Sequence, residues 1–351
     1  MNAGTGSIAG VSVRPFAAGD ASRWDAFVHT CADATFFHRL EWRGIYESVF
    51  KHRTHYLLAE RAGQVTGVLP LVEMRSMLFG HSLCSLPFAL YGGVASSDAT
   101  SVTALHEAAV QLGRQLGVRH LEMRNRGVRE ASWPRQDLYV TFRREILPEV
   151  EANMLAIPRK QRAMVRKGVA RELRCEIDRS SDRFFELYAD NQHRHGTPPQ
   201  SKRYFDALIE AFGDDCELAI VLSPQGKPVS GVLSFYFRDE VLPYYAGDVT
   251  DARDLAANDF KYWDLMRRAC ERGLKVFDYG RSKRGTGSFD FKKNWGFEPQ
   301  PLHYEHFLYV GDEVPQNNPS NAKYRAAIDV WRRLPRGVVN SVGPALARYL
   351  G

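Results

Sequence analysis

The sequence predicts an α/β (α+β) protein of two tandem domains, each a mixed, mainly antiparallel sheet flanked by helices. Three repeated stretches carry that expectation. Gly63-Gln-Val-Thr-Gly-Val-Leu-Pro-Leu returns as Gly226-Lys-Pro-Val-Ser-Gly-Val-Leu-Ser-Phe, Tyr91-Gly-Gly-Val as Tyr245-Ala-Gly-Asp-Val, and Leu116-Gly-Val-Arg-His-Leu-Glu-Met as Arg272-Gly-Leu-Lys-Val-Phe-Asp-Tyr. The matches keep their order at a spacing of about 160 residues, which marks a duplicated unit. The residue pattern within each copy supplies the third reason, because apolar β-rich runs alternate with one long helical stretch.

In the second copy, Leu218 to Leu222 reads as a strand, Gln225-Gly226-Lys227 as a hairpin turn, and Val229 to Phe237 as a strand rich in β-branched and aromatic residues. Val241 to Ala246 returns the chain. Ala256 to Arg272 has helical periodicity, with Tyr262, Met266 and Ala269 on one face and Gly273 as the stop. Leu274 to Asp278 is a further strand. The first copy repeats the order with Tyr56 to Ala59, Val65 to Glu73, a strand near Tyr91, a helix from Ser101 to Leu116 and a strand from Arg119 to Met123. The division that follows is a first domain over 1–150, a basic linker helix over 151–180, a second domain over 181–312 and a basic amphipathic tail over 313–351.

Composition narrows the function classes. The chain of 351 residues carries a formal charge of +6, which favours anionic partners. Its five cysteines are far apart and lack metal or disulfide spacing, as expected in a reducing compartment. The start, MNAGTGSIAG, has neither the basic residues nor the apolar run of a signal peptide, so a cytoplasmic location is expected. His193-Arg194-His195 offers two imidazoles with no third ligand at metal spacing, and no metal is expected in the chain. The chain has no Gly-x-Ser-x-Gly elbow and no P-loop, which argues against serine nucleophiles and that mode of nucleotide binding.

Two basic regions remain. Pro158 to Arg174 holds seven basic residues and one acid, with Arg159, Arg162 and Arg166 on one helical face, either a solvated surface or an anion-binding ridge. Asp278 to Gly296, DYGRSKRGTGSFDFKKNWG, sets five basic residues among four glycines and places Lys292 between Phe291 and Trp295. A lysine desolvated by aromatics suits stabilisation of a developing oxyanion.

The tandem repeat, the Lys/Arg-rich connection and the ending Phe291-Lys292-Lys-Asn-Trp295-Gly296 resemble the FemAB family over roughly Phe36 to Tyr309. Within it, Asn191 to Phe205 is most similar to members associated with PEP-CTERM/exosortase exopolysaccharide systems. The resemblance implies two GNAT-like domains and transfer of an aminoacyl or acyl group to an amine of a cell-envelope peptide or saccharide precursor. It implies aminoacyl-tRNA as the favoured donor, with acyl-CoA as the alternative, and an anionic nucleotide- or lipid-linked acceptor. The loop where acyl-CoA enzymes place glycines reads Arg253-Asp-Leu-Ala-Ala-Asn258. Lys292, Asp278 and Tyr245 are the expected catalytic residues. Arg281, Lys283, Arg284, Trp295, Tyr262, Arg162 and Lys202 are expected to bind substrate. Tyr324 to Leu350 interleaves five arginines with Trp331, Leu334, Val338 and Leu346, which suits either a docked helix or peripheral contact with an anionic membrane. A non-catalytic polysaccharide- or nucleic-acid-binding platform is the rival class.

Overall fold

A computed structural model describes residues 7–8, 10–77, 79–314 and 322–350, with the side chains of 7 and 322–327 left aside. The chain forms two compact units: one comprises residues 1–137, 301–316 and 349–351, the other 138–300 and 317–348.

In the first unit, β1 (Val11–Pro15), β2 (Leu57–Arg61) and β3 (Gln64–Leu69) pair antiparallel in one sheet. A second sheet contains β4 (Val72–Ser76), β5 (Gly80–Cys84) and β6 (His120–Asn125), and is extended by the returning strand His303–Leu308. The single strand expected over Val65 to Glu73 is thus two strands in different sheets. They break at Pro70, which has no N–H to give a ladder. No strand forms at Tyr91. That stretch is a buried loop in which Leu86 and Phe88 have φ of 60° and 69°, and the N–H groups of Gly92 and Gly93 both reach the Arg124 carbonyl. α1 (Ala99–Leu116) starts where the Asp98 side chain accepts from the Ser101 N–H, and ends at left-handed Gly117. Its apolar face covers Leu69, Leu83, Leu121 and Met123.

The second unit opens with β7 (Tyr139–Glu145), a strand that the sequence division places in the first domain. Next come α2 (Arg159–Ala170), β8 (Arg174–Asp178), α3 (Asp182–His195), α4 (Lys202–Phe212), β9 (Cys216–Leu222), β10 (Pro228–Phe237) and β11 (Glu240–Asp248). α5 (Ala257–Glu271), β12 (Val276–Asp278), β13 (Ser282–Lys283) and α6 (Gly287–Asn294) complete it. The sheet runs β8–β9–β10–β11–β12–β7–β13, and all contacts are antiparallel except β11 with β12. The two units thus share the hairpin and the long helix, but the first divides its strands between two sheets where the second has one, and Tyr245 lies in a strand where Tyr91 lies in a loop. The end of the basic loop is also helical, because Thr286 caps α6 through the Phe289 N–H.

The tail forms α7 (Ala322–Arg333) and α8 (Arg336–Ala347), which dock on α3. Arg336 pairs with Asp190, the His193 ring meets the Leu334 carbonyl, and Ile328 lies over Gly196. No described helix is long and apolar enough to cross a membrane.

α3 crosses β11 at Gly247, where a Cβ would stand 2.4 Å from the Tyr188 backbone nitrogen and 2.5 Å from the Leu187 carbonyl carbon. Backbone cannot yield as a flexible side chain can. Gly247→Ala should therefore destabilise the chain by about 2 kcal/mol in urea unfolding. Gly226→Ala, at a left-handed turn with open space around it, should lose only the backbone term of about 1 kcal/mol.

Candidate active site of the second unit

The parallel strands β11 and β12 pair only at Glu240 with Val276 and Val241 with Phe277. β11 then continues to Asp248 while β12 ends at Asp278, so the sheet opens between them. A bulge adds to this. Leu233 faces Tyr245 but Ser234 faces Pro243, leaving Tyr244 as an extra residue on β11. Bulges bend a strand and re-aim its side chains. Val241 to Pro243 are buried, whereas Tyr244, Tyr245 and Ala246 are half-exposed along the opening. Openings at the ends of parallel strands are habitual ligand sites in α/β folds. The Tyr245 hydroxyl lies 3.1 Å from that of Tyr204, its ring packs edge-on against Tyr188 and Phe205, and burial raises its pKa.

The other wall begins at Asp278, which is 1% exposed. Its carboxylate accepts from Thr141 Oγ1 at 2.9 Å, Arg143 Nη1 at 2.6 Å and the Gly280 N–H at 2.9 Å. Arg143 also reaches Glu240 at the start of β11, so one guanidinium from β7 ties together the two strands that diverge. A carboxylate held this way orients the loop that carries the Gly280 and Arg281 carbonyls, and so acts on Lys292 by position. Gly280 turns the chain at φ 70°, and the Arg281 guanidinium stacks 4.7 Å from the Tyr139 ring. Lys283 is half-exposed and Arg284 exposed.

α6 brings Lys292 back under this loop. Its Nζ donates to the carbonyls of Gly280 at 2.9 Å and Arg281 at 3.1 Å, and lies 5.7 Å from the ring centres of Phe142 and Tyr279. Burial pushes the amine down to about 7 against the pull of nearby Asp278. The nitrogen is thus desolvated by aromatics as expected, and two of its three N–H donors are spent on loop carbonyls.

Trp295 corrects an expectation. It is fully buried, and its indole N–H donates at 2.9 Å to Asp259 in the first turn of α5. Gln161 on α2 donates to the same oxygen at 3.0 Å, and burial raises the Asp259 pKa. Trp295 therefore fixes α6 to α5 rather than touching a substrate. Tyr262 packs its ring 4.7 Å from Tyr279 and 5.7 Å from Phe291, which again is core packing. Lys202 lies apart from the opening, paired with Asp182 and Asp206 at 3.0 Å each, and is not a free anion ligand. Arg162 sits half-exposed on α2, with Nη1 3.4 Å from the Leu155 carbonyl. Asp278, Arg281, Lys283 and Lys292 belong to or hold the loop after β12, Tyr262 and Trp295 pack behind it on Tyr279, and Tyr245 stands on β11.

Sequence reasoning missed three residues of this region. Arg143 lies outside any motif and is brought in by the sheet order, and Gln161, within the basic stretch, is brought in by α2 meeting α5. Lys261, whose side chain is fully buried, pairs with Asp248 at 2.8 Å at the far end of β11. A lysine amid the apolar positions of α5 was its available signal.

Residues 156–293 match the acetyltransferase (GNAT) domain family. No curated protein sequence matches the chain. Among solved structures it is similar to FemX, at a TM-score of 0.64 and 15% identity over 84% of this chain and 97% of that one. It is also similar to a tandem GNAT protein from the clavulanic acid biosynthesis pathway (TM-score 0.55, 10% identity, 86% and 100% covered). L-PGS from Bacillus licheniformis gives a TM-score of 0.54 at 11% identity over 89% and 96% of the two chains. The fold is thus the GNAT fold, a mixed sheet flanked by helices, and its neighbours include tandem GNAT proteins.

The buried amine has a thermodynamic signature. Between about 7 and its ordinary 10.5, the folded chain binds fewer protons at Lys292 than the unfolded chain does. Stability from this group must then rise with pH across that window. Relative to Lys292→Met, the wild-type chain should gain a few kcal/mol between about pH 6.5 and 10, since each tenfold change in proton affinity is about 1.4 kcal/mol. Paired urea titrations at each pH would measure it, and a pH-independent difference would show that the amine is not desolvated.

Proposed function

We propose that the protein is a FemAB-like N-acyltransferase that passes an aminoacyl or acyl group to an amine of a cell-envelope peptide or saccharide precursor. The observation that carries the reading is the opening between β11 and β12, walled on one side by a basic loop clamped on a buried lysine. The GNAT domain match over residues 156–293 and the fold shared with FemX support it.

In this reading the acceptor amine attacks the donor carbonyl carbon directly. The C–N bond forms as the bond to the leaving oxygen or sulfur breaks, and the amine proton passes to that leaving atom. Lys292 holds the loop carbonyls and places positive charge beside the carbonyl oxygen as it becomes an oxyanion. Arg281, Lys283 and Arg284 grip phosphate on the acceptor. Asp278, engaged by Arg143, keeps that loop in place. Tyr245 lines the opposite wall against the acyl group.

Aminoacyl-tRNA is favoured as donor because the loop leading into α5, Arg253-Asp-Leu-Ala-Ala-Asn258, lacks the glycines that let a backbone cradle pyrophosphate. The acetyltransferase domain match keeps acyl-CoA as the second reading. Turnover of an amine-bearing, phosphorylated precursor with charged tRNA against acyl-CoA separates the two. With the active donor, Lys292→Ala should lower kcat/KM at least about a hundredfold, the scale of one oxyanion donor. Arg281→Ala with Lys283→Ala should raise KM for phosphorylated acceptors far more than for neutral ones. Full activity in Lys292→Ala would remove the lysine from the mechanism, and no turnover with either donor would leave only a binding platform.

Peripheral membrane contact belongs to the same reading. Val330, Val338 and Val342 are exposed at 60, 43 and 47% beside Arg332, Arg333 and Arg336 on α7 and α8. Val338→Glu with Val342→Glu should abolish co-sedimentation with anionic vesicles, and unchanged sedimentation would remove the membrane from the proposal.

A further inference from the structure

The first unit holds a cluster of metal-ligating side chains that the transfer chemistry does not use. β6 pairs with the returning strand so that His306 stands directly opposite Glu122, and Leu308 opposite His120. Strand alternation sends Leu121 and Met123 into the core under α1, and His120 and Glu122 to the other face with His306. The ligand atoms of the three side chains all lie within 4.8 Å of one another, and the two imidazole centres are 6.0 Å apart.

His306 is the informative member. It is 3% exposed, and neither Nδ1 nor Nε2 has a hydrogen-bond partner. Other buried histidines are treated differently. His38 uses Nδ1 with the Thr35 N–H and Nε2 with the Gly93 carbonyl, and His106 keeps Nδ1 on Glu130. Burying a polar group with its hydrogen-bonding capacity unmet is costly, so such a group calls for a missing partner. A cation satisfies an imidazole lone pair as a carbonyl cannot.

The surroundings suit one. Glu122 gives one oxygen to Arg124 Nε at 2.8 Å, which leaves its second oxygen for an ion. Arg124 is itself fixed on the Ala89 carbonyl at 3.0 Å, so it orients the carboxylate as outer-shell partners do. His120 is half-exposed and lines an open pocket of about 310 Å³ with His81, Arg119 and Glu313, giving an ion a route in. Two imidazoles and one carboxylate are the donor set of zinc and its neighbours, and not of magnesium or calcium, which prefer oxygen alone. Ligands about 2 Å from a tetrahedral ion sit about 3.3 Å apart, so binding would draw these side chains slightly inward.

We propose that His120, Glu122 and His306 bind one divalent transition-metal ion of the zinc class and so clasp the returning strand to β6. The test uses the full chain without an affinity tag, stripped with chelator and titrated with Co²⁺. One equivalent should bind with the visible spectrum of a low-coordinate cobalt centre, Zn²⁺ should displace it, and saturating Zn²⁺ should raise the thermal midpoint reversibly with chelator. His120→Gln, at a half-exposed position, should weaken binding at least about a hundredfold, since even outer-shell changes cost about 10–100-fold. His193→Gln with His195→Gln should leave it unchanged. Failure of the wild-type chain to bind a stoichiometric ion, or equal binding by His120→Gln, overturns the proposal.

Discussion

A charged amine taken out of water must recover its solvation from protein oxygens, and the candidate site is arranged around one that does. Lys292 arrives on a short capped helix and finds the carbonyls of Gly280 and Arg281 among the rings of Phe142 and Tyr279. Those carbonyls can turn inward only because Gly280 accepts a left-handed backbone and Asp278, held by Arg143, anchors the residue before the turn. The same helix ends in Trp295, whose indole N–H reaches back to the first turn of α5. Strand end, loop, helix and helix start thus share one small polar network set in an aromatic core. In such surroundings each unpaired member would be costly, so the network is close to all-or-none.

The duplication makes the differences between the two units instructive. Both were legible as copies because glycine-bounded hairpins and one long amphipathic helix leave strong local signals at Gly63 and Gly226, and over Ala99–Leu116 and Ala257–Glu271. Where the repeat matched only weakly, the folds part. Tyr245 continues a strand whose bulge opens the sheet, while Tyr91 sits in a buried loop shaped by Pro87 and two glycines. The second unit accordingly has the opening flanked by the basic loop, and the first has a histidine-bearing sheet face.

The site was readable to the extent that its residues were close in sequence. The aromatic-flanked lysine, the basic loop and the strand end at Asp278 lie within a single stretch, and a pattern search finds them together. What the pattern could not supply was each side chain's partner. Trp295 and Tyr262 look like binding residues in sequence and prove to be packing residues, because aromatic side chains carry no local mark of which way they face. Lys202 was misjudged differently, since Asp206 stands four residues on in the same helix, and only Asp182 claims it once α3 and α4 are side by side. Arg143, Gln161 and His306 become relevant through pairings about a hundred residues or more apart in the chain. Single-sequence periodicity holds no information on either.

The returning strand has a temporal consequence. The first unit's second sheet takes in His303–Leu308, so the edge at β6 stays unpaired until all of residues 138–300 have left the ribosome. At roughly 5–20 residues per second, the interval after β7 emerges is on the order of ten to thirty seconds. During it the nascent amino-terminal half exposes an open ladder along β6, a surface that chaperones or neighbouring polysomes would meet first. The sheet of the second unit faces no such wait, because β7 precedes it, and that sheet can close while the first unit still lacks its returning strand.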